Sequence, residues 1–173
     1  LGNQRFVTDT KGNQSEMRYD SLSRKTYMHD PDMGNWAYAY DAAGNLTVQT
    51  DAKGQAIYFQ YDALNRRRQK AYSQPRALGS GDVVYNYDGA TSNGKGRLTS
   101  VQDASGTATF YYDSLGRSTR SDKSLDGTTY TTQTVYDLGG RVISIIYPDP
   151  TNSIVSYAYT GPLLDRVYDT STT

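Results

Sequence analysis

From Trp36 to Gln49 the chain alternates. Trp36, Tyr38 and Tyr40 are large and aromatic, Ala37 and Ala39 are small, and beyond Gly44-Asn45 the alternation resumes at Leu46 and Val48. A period of two is the side-chain period of a strand, so this stretch predicts strand, tight turn, strand. The unit then recurs. Tyr-Asp pairs stand at Tyr19-Asp20, Tyr40-Asp41, Tyr61-Asp62, Tyr87-Asp88, Tyr112-Asp113 and Tyr136-Asp137, with a degenerate copy at Tyr159, successive copies lying 21 to 26 residues apart. A recurrence in that range marks a repeat architecture, in which each unit buries its faces only against its neighbours.

Each repeat divides into four parts. A turn comes first, often Asp-x-x-Gly: Asp9 to Gly12, Asp51 to Gly54, Asp103 to Gly106, with looser forms at Asp30 to Gly34 and at Asp126-Gly127. A strand follows and ends in Tyr-Asp. A second turn carries Gly44, Gly116 or Gly140, replaced by Ser23 and Asn65 in two copies. The last part is a strand opening with Asn45 or with a basic residue: Arg24, Arg66, Arg97, Arg117, Arg141 and Arg166. No stretch has a helical period. The pattern therefore predicts an all-β chain, an antiparallel meander of about seven hairpins that treats residues 1–173 as a single array. Glycine supplies the positive φ of the turns, and the Asp after each Tyr is expected to cap the turn that follows through its carboxylate.

Two residues before each repeat tyrosine stand Met17, Tyr38, Phe59, Tyr85, Phe110, Thr134 and Tyr157, which predicts an aromatic column along one face. The opposite face is mixed. The recurring arginines are expected to lie against the repeat tyrosines as cation–π contacts. The longest departures are Gln74 to Gly81, a Pro/Gly-rich loop, and Gly89 to Gly96, an enlarged turn.

Composition narrows the classes. The chain has no cysteine, which removes disulfides and thiolate metal sites. Eighteen basic residues balance eighteen acidic ones, so there is no electrostatic footprint for nucleic acid or an anionic membrane. No apolar run approaches the roughly 18 residues of a membrane-spanning helix. Seventeen tyrosines at zero net charge point to an ordered chain rather than a disordered one. The chain begins without methionine and stops within the pattern, and reads as a piece of something longer.

Candidate chemistry is sparse. Gly89 to Gly96 approaches a phosphate-cradling loop, but Gly96 stands where Ser or Thr is needed after Lys95, and a strand pattern follows instead of a helix. Asp30-Pro31-Asp32-Met33-Gly34-Asn35 has the glycine one place early for a calcium loop and lacks the twelfth-position Glu, and Asp149-Pro150 with Asn152 is no closer. His29 is the only histidine, so a Ser-His-Asp triad or a two-histidine metal site would need a second chain. The aspartates are placed as turn residues rather than as an acid–base pair. Arg66-Arg67-Arg68 with Lys70 alternates across a strand and forms no single patch. The expectation is a non-enzyme with no catalytic residue, no metal and no cofactor. The tyrosines leave a second reading open, an adhesive module that binds glycans or cell-surface proteins.

Gly106 to Thr119, G-T-A-T-F-Y-Y-D-S-L-G-R-S-T, spells the motif in full. It resembles the tyrosine-aspartate repeat of the rearrangement-hotspot, or RHS, family, and the resemblance covers nearly the whole chain. It implies a long β-sheet that spirals into a hollow shell. In bacterial RHS proteins and insecticidal toxin complexes such a shell encloses a C-terminal toxin, and in the animal teneurins a comparable shell supports adhesion. No stretch here resembles the plug and self-cleavage region or a variable toxin domain. The resemblance thus implies a secreted or surface-delivered, bacterial, structural wall segment, with the rest of its shell and an enclosed effector as partners.

Overall fold

A computed structural model describes residues 2–74, 77, 79–90 and 93–170. Among the described residues fifteen strands form one sheet whose spatial order follows the chain. By contacts the chain divides into two compact units, Leu1–Val84 and Tyr85–Thr173. The first contains β1 (Phe6–Thr8), β2 (Gln14–Tyr19), β3 (Lys25–Asp30), β4 (Gly34–Tyr40), β5 (Leu46–Thr50), β6 (Ala56–Tyr61) and β7 (Arg67–Ala71). The boundary falls inside β8 (Val83–Tyr87), after which come β9 (Leu98–Asp103), β10 (Gly106–Tyr112) and β11 (Ser118–Leu125). The second unit ends with β12 (Thr128–Tyr136), β13 (Val142–Ile146), β14 (Ile154–Thr160) and β15 (Leu163–Asp169). No described residue is helical.

The fold is the all-β antiparallel meander that the alternation predicts. Seven hairpins turn at the repeat tyrosines, and β1 stands before them as an additional strand.

Each hairpin with a determined register carries a bulge at its tyrosine. Ala39 pairs with Val48 but Tyr40 with Leu46, so Thr47 is the extra residue. The same shift leaves Thr26 extra opposite Arg18/Tyr19 and Thr119 extra opposite Tyr111/Tyr112. A bulge disrupts the ladder locally. Here the bulge threonine answers that directly: Thr26, Thr47 and Thr119 donate through Oγ1 to the carbonyls of Arg18, Ala39 and Tyr111, at 3.4, 3.2 and 3.4 Å. Thr99 does the same to Asn86, at 3.1 Å. Threonine two places after the basic or Asn position recurs plainly in the sequence, although periodicity alone assigns it no task.

Two expectations need correction. Asp103 to Gly106 is not an Asp-x-x-Gly loop like the others, because Asp103 and Gly106 pair directly and only Ala104 and Ser105 form the turn. Gly106 is fixed by a close approach: φ is +141°, and a Cβ there would overlap the Ser124 carbonyl oxygen on β11. Arg166, in turn, is not a copy of the repeat arginine. Its hairpin turns through Gly161-Pro162, one residue shorter than the others, so Leu164 faces Tyr159 and Arg166 lies inside β15 opposite Ala158.

Little is buried. Among the described residues only Phe59, Ala71, Gln69 and Gly94 are inaccessible, and most strand positions are half-exposed. The column of residues two before each tyrosine follows from strand alternation, but only Phe59 in it is buried. One reason Gln69 and Ala71 are covered is the 72–82 loop, whose described part folds down. Tyr72 N donates to Asp82 Oδ2 at 2.6 Å and Gly79 N to Gln69 Oε1 at 2.6 Å. Pro75, Arg76 and Leu78 of the predicted loop lie outside the described residues, as do Thr91 and Ser92 of the enlarged turn.

Candidate functional site

The recurring site is a clasp at the Tyr-Asp turn. In its simplest form, at Asp113, the backbone closes a five-residue loop: Asp113 N donates to Arg117 O and Gly116 N to Asp113 O, both at 3.0 Å. The carboxylate then fills the loop. Oδ1 accepts Leu115 N at 3.0 Å and Arg117 N at 2.9 Å, while Oδ2 accepts Arg117 Nε at 2.6 Å. Asp20 with Arg24 and Asp62 with Arg66 repeat all three bonds, and Asp137 makes the last two with Arg141. At Asp41 the partner is Asn45, through its N at 2.8 Å and its Nδ2 at 3.0 Å.

These bonds favour the ionised carboxylate. The Arg24 and Arg141 amides, then their side chains, hold Asp20 and Asp137 below the ordinary carboxylate value, and the Asn45 side chain does so for Asp41. At Asp62 and Asp113 partial burial pushes upward, but the arginine bonds together outweigh it and the net shift is again downward. Such carboxylates are ion-pair and turn partners. They are not poised as general acids.

The clasp also reaches beyond its own repeat, which the sequence pattern did not disclose. Six repeat tyrosines point back: Tyr40 Oη donates to Lys25 O at 2.8 Å, Tyr61 to Leu46 O at 2.9 Å, Tyr112 to Leu98 O at 2.6 Å, Tyr136 to Ser118 O at 2.9 Å and Tyr159 to Val142 O at 2.9 Å. Tyr19 makes the equivalent bond to Gln4 O at 2.9 Å. Four of the arginines point forward. Arg24 lies 4.9 Å over the Tyr40 ring, Arg97 5.6 Å over Tyr112, Arg117 4.7 Å over Tyr136 and Arg141 4.6 Å over Tyr159. Arg24 Nη1 and Arg117 Nη1 also donate to the carbonyls of Asp41 and Asp137, at 3.0 and 3.2 Å, and Arg141 Nη1 donates to Gly161 O. The cation–π partner is thus the tyrosine of the next repeat, not of the arginine's own.

At one turn the glycine makes room for this: a Cβ on Gly116 would overlap the Arg97 guanidinium, whereas one on Gly140 would be in ordinary contact with Arg117 Nη1 at 3.7 Å and one on Gly44 would meet nothing within 4 Å. Where the forward-reaching residue is the shorter Asn45, the next turn tolerates Asn65 with φ +60°, and Asn45 Nδ2 donates to Asn65 Oδ1 at 2.9 Å.

The enlarged turn keeps the same frame. Asp88 N donates to Arg97 O at 3.1 Å, Gly96 N to Asp88 Oδ1 at 2.6 Å, and Asn93 Nδ2 reaches Tyr112 O at 3.0 Å. Strand β9 follows, so the phosphate-loop geometry is not met. On the opposite margin the same carboxylate device recurs without tyrosine: Asp51 Oδ1 accepts Lys53 N and Gln55 N, and Asp149 accepts Thr151 and Ser153. Asp30 Oδ1 accepts Asp32 N and Met33 N. Among the described residues no cluster of His, Cys, Asp or Glu is arranged to hold a metal ion.

The RHS repeat model matches residues 40–76 and 93–129. No curated protein matches the chain. Its fold is similar to that of TcdB2-TccC3-TEV, at TM-score 0.77 and 16% identity over 96% of this chain and 10% of that one. TcdB2-TccC3 gives 0.71 and 15% over 95% and 11%. The Tc holotoxin pore of Photorhabdus luminescens gives 0.69 and 16% over 96% and 11%. The chain therefore spans about a tenth of the length of the solved chains it matches.

Proposed function

We infer that this chain, which the RHS repeat model matches over residues 40–76 and 93–129, serves as a wall segment of a toxin-complex-type shell that encloses an effector polypeptide. The observation that carries the reading is the clasp. Bonds repeated from hairpin to hairpin tie the repeats into a sheet with almost no buried core of its own, which is what a thin wall requires. The role is structural and non-enzymatic: the carboxylates that might act as acids or bases are engaged in turns. The partners are the remainder of the shell and its enclosed effector, and the setting is a secreted bacterial toxin, in keeping with the named relatives. The adhesive reading draws no support from these relatives.

Limited proteolysis of the parent protein with mass-spectrometric mapping tests this. The repeat region and the passenger should be protected together, and a passenger digested rapidly inside an intact repeat region would overturn the reading.

A further inference from the structure

The clasp leaves one recurring side chain unused. Two residues after Asp20, Asp62 and Asp113 stand Leu22, Leu64 and Leu115, and each gives its aspartate only a backbone amide, a bond that any residue except proline could make. Their side chains are 68%, 71% and 72% exposed. Leu138, directly after Asp137, is fully exposed, and Leu163 and Leu164, which follow Gly161-Pro162, are exposed as well. Among the described residues these six are all the exposed leucines, and all lie on the margin where the hairpins turn at the repeat tyrosines. The opposite margin turns through polar residues such as Lys11, Lys53, Ser105 and Asp126, with Met33 as an apolar exception.

A single exposed leucine is ordinary, but a row of them marks a contact surface. In the first unit the row reads Leu22, Ala43, Leu64, and in the second Leu115, Leu138 and the Leu163-Leu164 pair. Within each unit successive tips lie two strand spacings apart, roughly 10 Å. A partner that meets every leucine must present apolar groups at the same pitch. Another length of this repeat sheet does so by construction.

The dimensions place that partner beside the margin. Strands β2 to β10 have five to seven residues. At a rise of ~3.3 Å per residue the sheet is roughly 20 Å wide. A ribbon this narrow is open along both margins and cannot by itself surround a polypeptide, so lengths of it must lie side by side. This chain covers about a tenth of the solved chains it resembles, and chains of that fold therefore have the length to do so. We propose that the leucine margin is a seam, where this length of wall packs against the margin of another length of repeat sheet in the same parent polypeptide. The seam rests on the reading of the chain as a shell wall.

The test uses the parent protein, grown with a photoreactive diazirine analogue of leucine, irradiated and mapped by mass spectrometry. Peptides carrying Leu22, Leu64, Leu115 and Leu138 should cross-link to turn peptides of repeats outside residues 1–173, and a mixture of isotope-labelled and unlabelled protein should show the links to be intramolecular. Leu115→Asn combined with Leu138→Asn should speed proteolysis within these two turns of the parent at least tenfold. The 173-residue chain with the same two changes should keep its urea midpoint, because both side chains are exposed within it. Four results would each overturn the seam: leucines quenched by water, links only to the passenger, links only between molecules, or unchanged proteolysis in the double variant. Passenger digestion is followed in the same samples. Water-quenched leucines beside a protected passenger would remove the seam and leave the shell, whereas cross-linked margins beside a digested passenger would remove the enclosed effector and leave the seam.

Discussion

Tyr112 spends its hydroxyl on a carbonyl of the preceding hairpin and its ring on that hairpin's arginine. Tyr112→Phe keeps the ring and removes one neutral hydrogen bond, so about 1 kcal/mol of stability should be lost, read as a lower urea midpoint at unchanged m-value. Thr119→Val keeps the β-branched shape but leaves the Tyr111 carbonyl at the bulge without the hydroxyl; about 1 kcal/mol is again expected. Arg117→Lys should cost more than Arg120→Lys in the same assay. Arg117 combines a charge-assisted bond to Asp113, a bond to Asp137 O and a ring contact, and an ammonium on a flexible stem cannot hold all three. A Lys variant with the wild-type midpoint would contradict this account of the clasp. The tyrosines, aspartates and arginines were legible as a repeat, but their partners were not. A period reports which residues are equivalent, and only strand register reveals that Arg117 meets Tyr136 rather than Tyr112.

At the scale of the hairpin, turn and clasp are matched where a side chain reaches into the next turn. The Arg97 guanidinium occupies the space that a Cβ on Gly116 would need, whereas the shorter Asn45 precedes a turn with Asn65. Asn45→Arg should therefore destabilise, because the guanidinium meets the Asn65 side chain. Adding Asn65→Gly should recover part of the loss, and a double-mutant cycle with no coupling would refute the matching. Ser23 occupies the same turn position at φ +63°, a conformation costly to a residue with a Cβ, so Ser23→Gly should raise stability by about 1 kcal/mol. The two departures from the sequence pattern have the same origin. Asp103-Ala104-Ser105-Gly106 satisfies the spelling of an Asp-x-x-Gly turn, yet cross-strand pairing of Asp103 with Gly106 leaves a two-residue turn. Arg166 continues the basic series of the sequence but follows Tyr159 by seven residues where Arg117 follows Tyr112 by five, and the shorter turn at Gly161-Pro162 puts Leu163, opposite Thr160, in the arginine's place. In both, loop length decides register, and register decides which face a side chain occupies.

Over the whole molecule the clasp carboxylates titrate as a set. Their folded pKa values lie below the ordinary 3.8, so the unfolded chain binds protons first as the pH falls. The stabilisation they supply is present above that value and lost as the pH drops through the folded values. Unfolding free energy should be level near neutrality and fall steeply once the pH passes below 3.8, and Asp113→Asn should make the acid limb shallower. Hydrogen exchange should be fastest in β1 and β15, which flank the strand order and whose residues are exposed throughout.

Period-two alternation, the Tyr-Asp recurrence and the turn residues together determined an antiparallel meander, its hairpin count to within one strand and the positions of its turns, because these rest on local backbone preferences written within each repeat. Tertiary structure alone decided the forward arginine and backward tyrosine contacts, the accommodation of Arg97 at Gly116 and the Arg166 exception. These depend on which residues of different hairpins fall opposite one another, and bulges and loop lengths set that pairing in ways that composition and spacing do not encode.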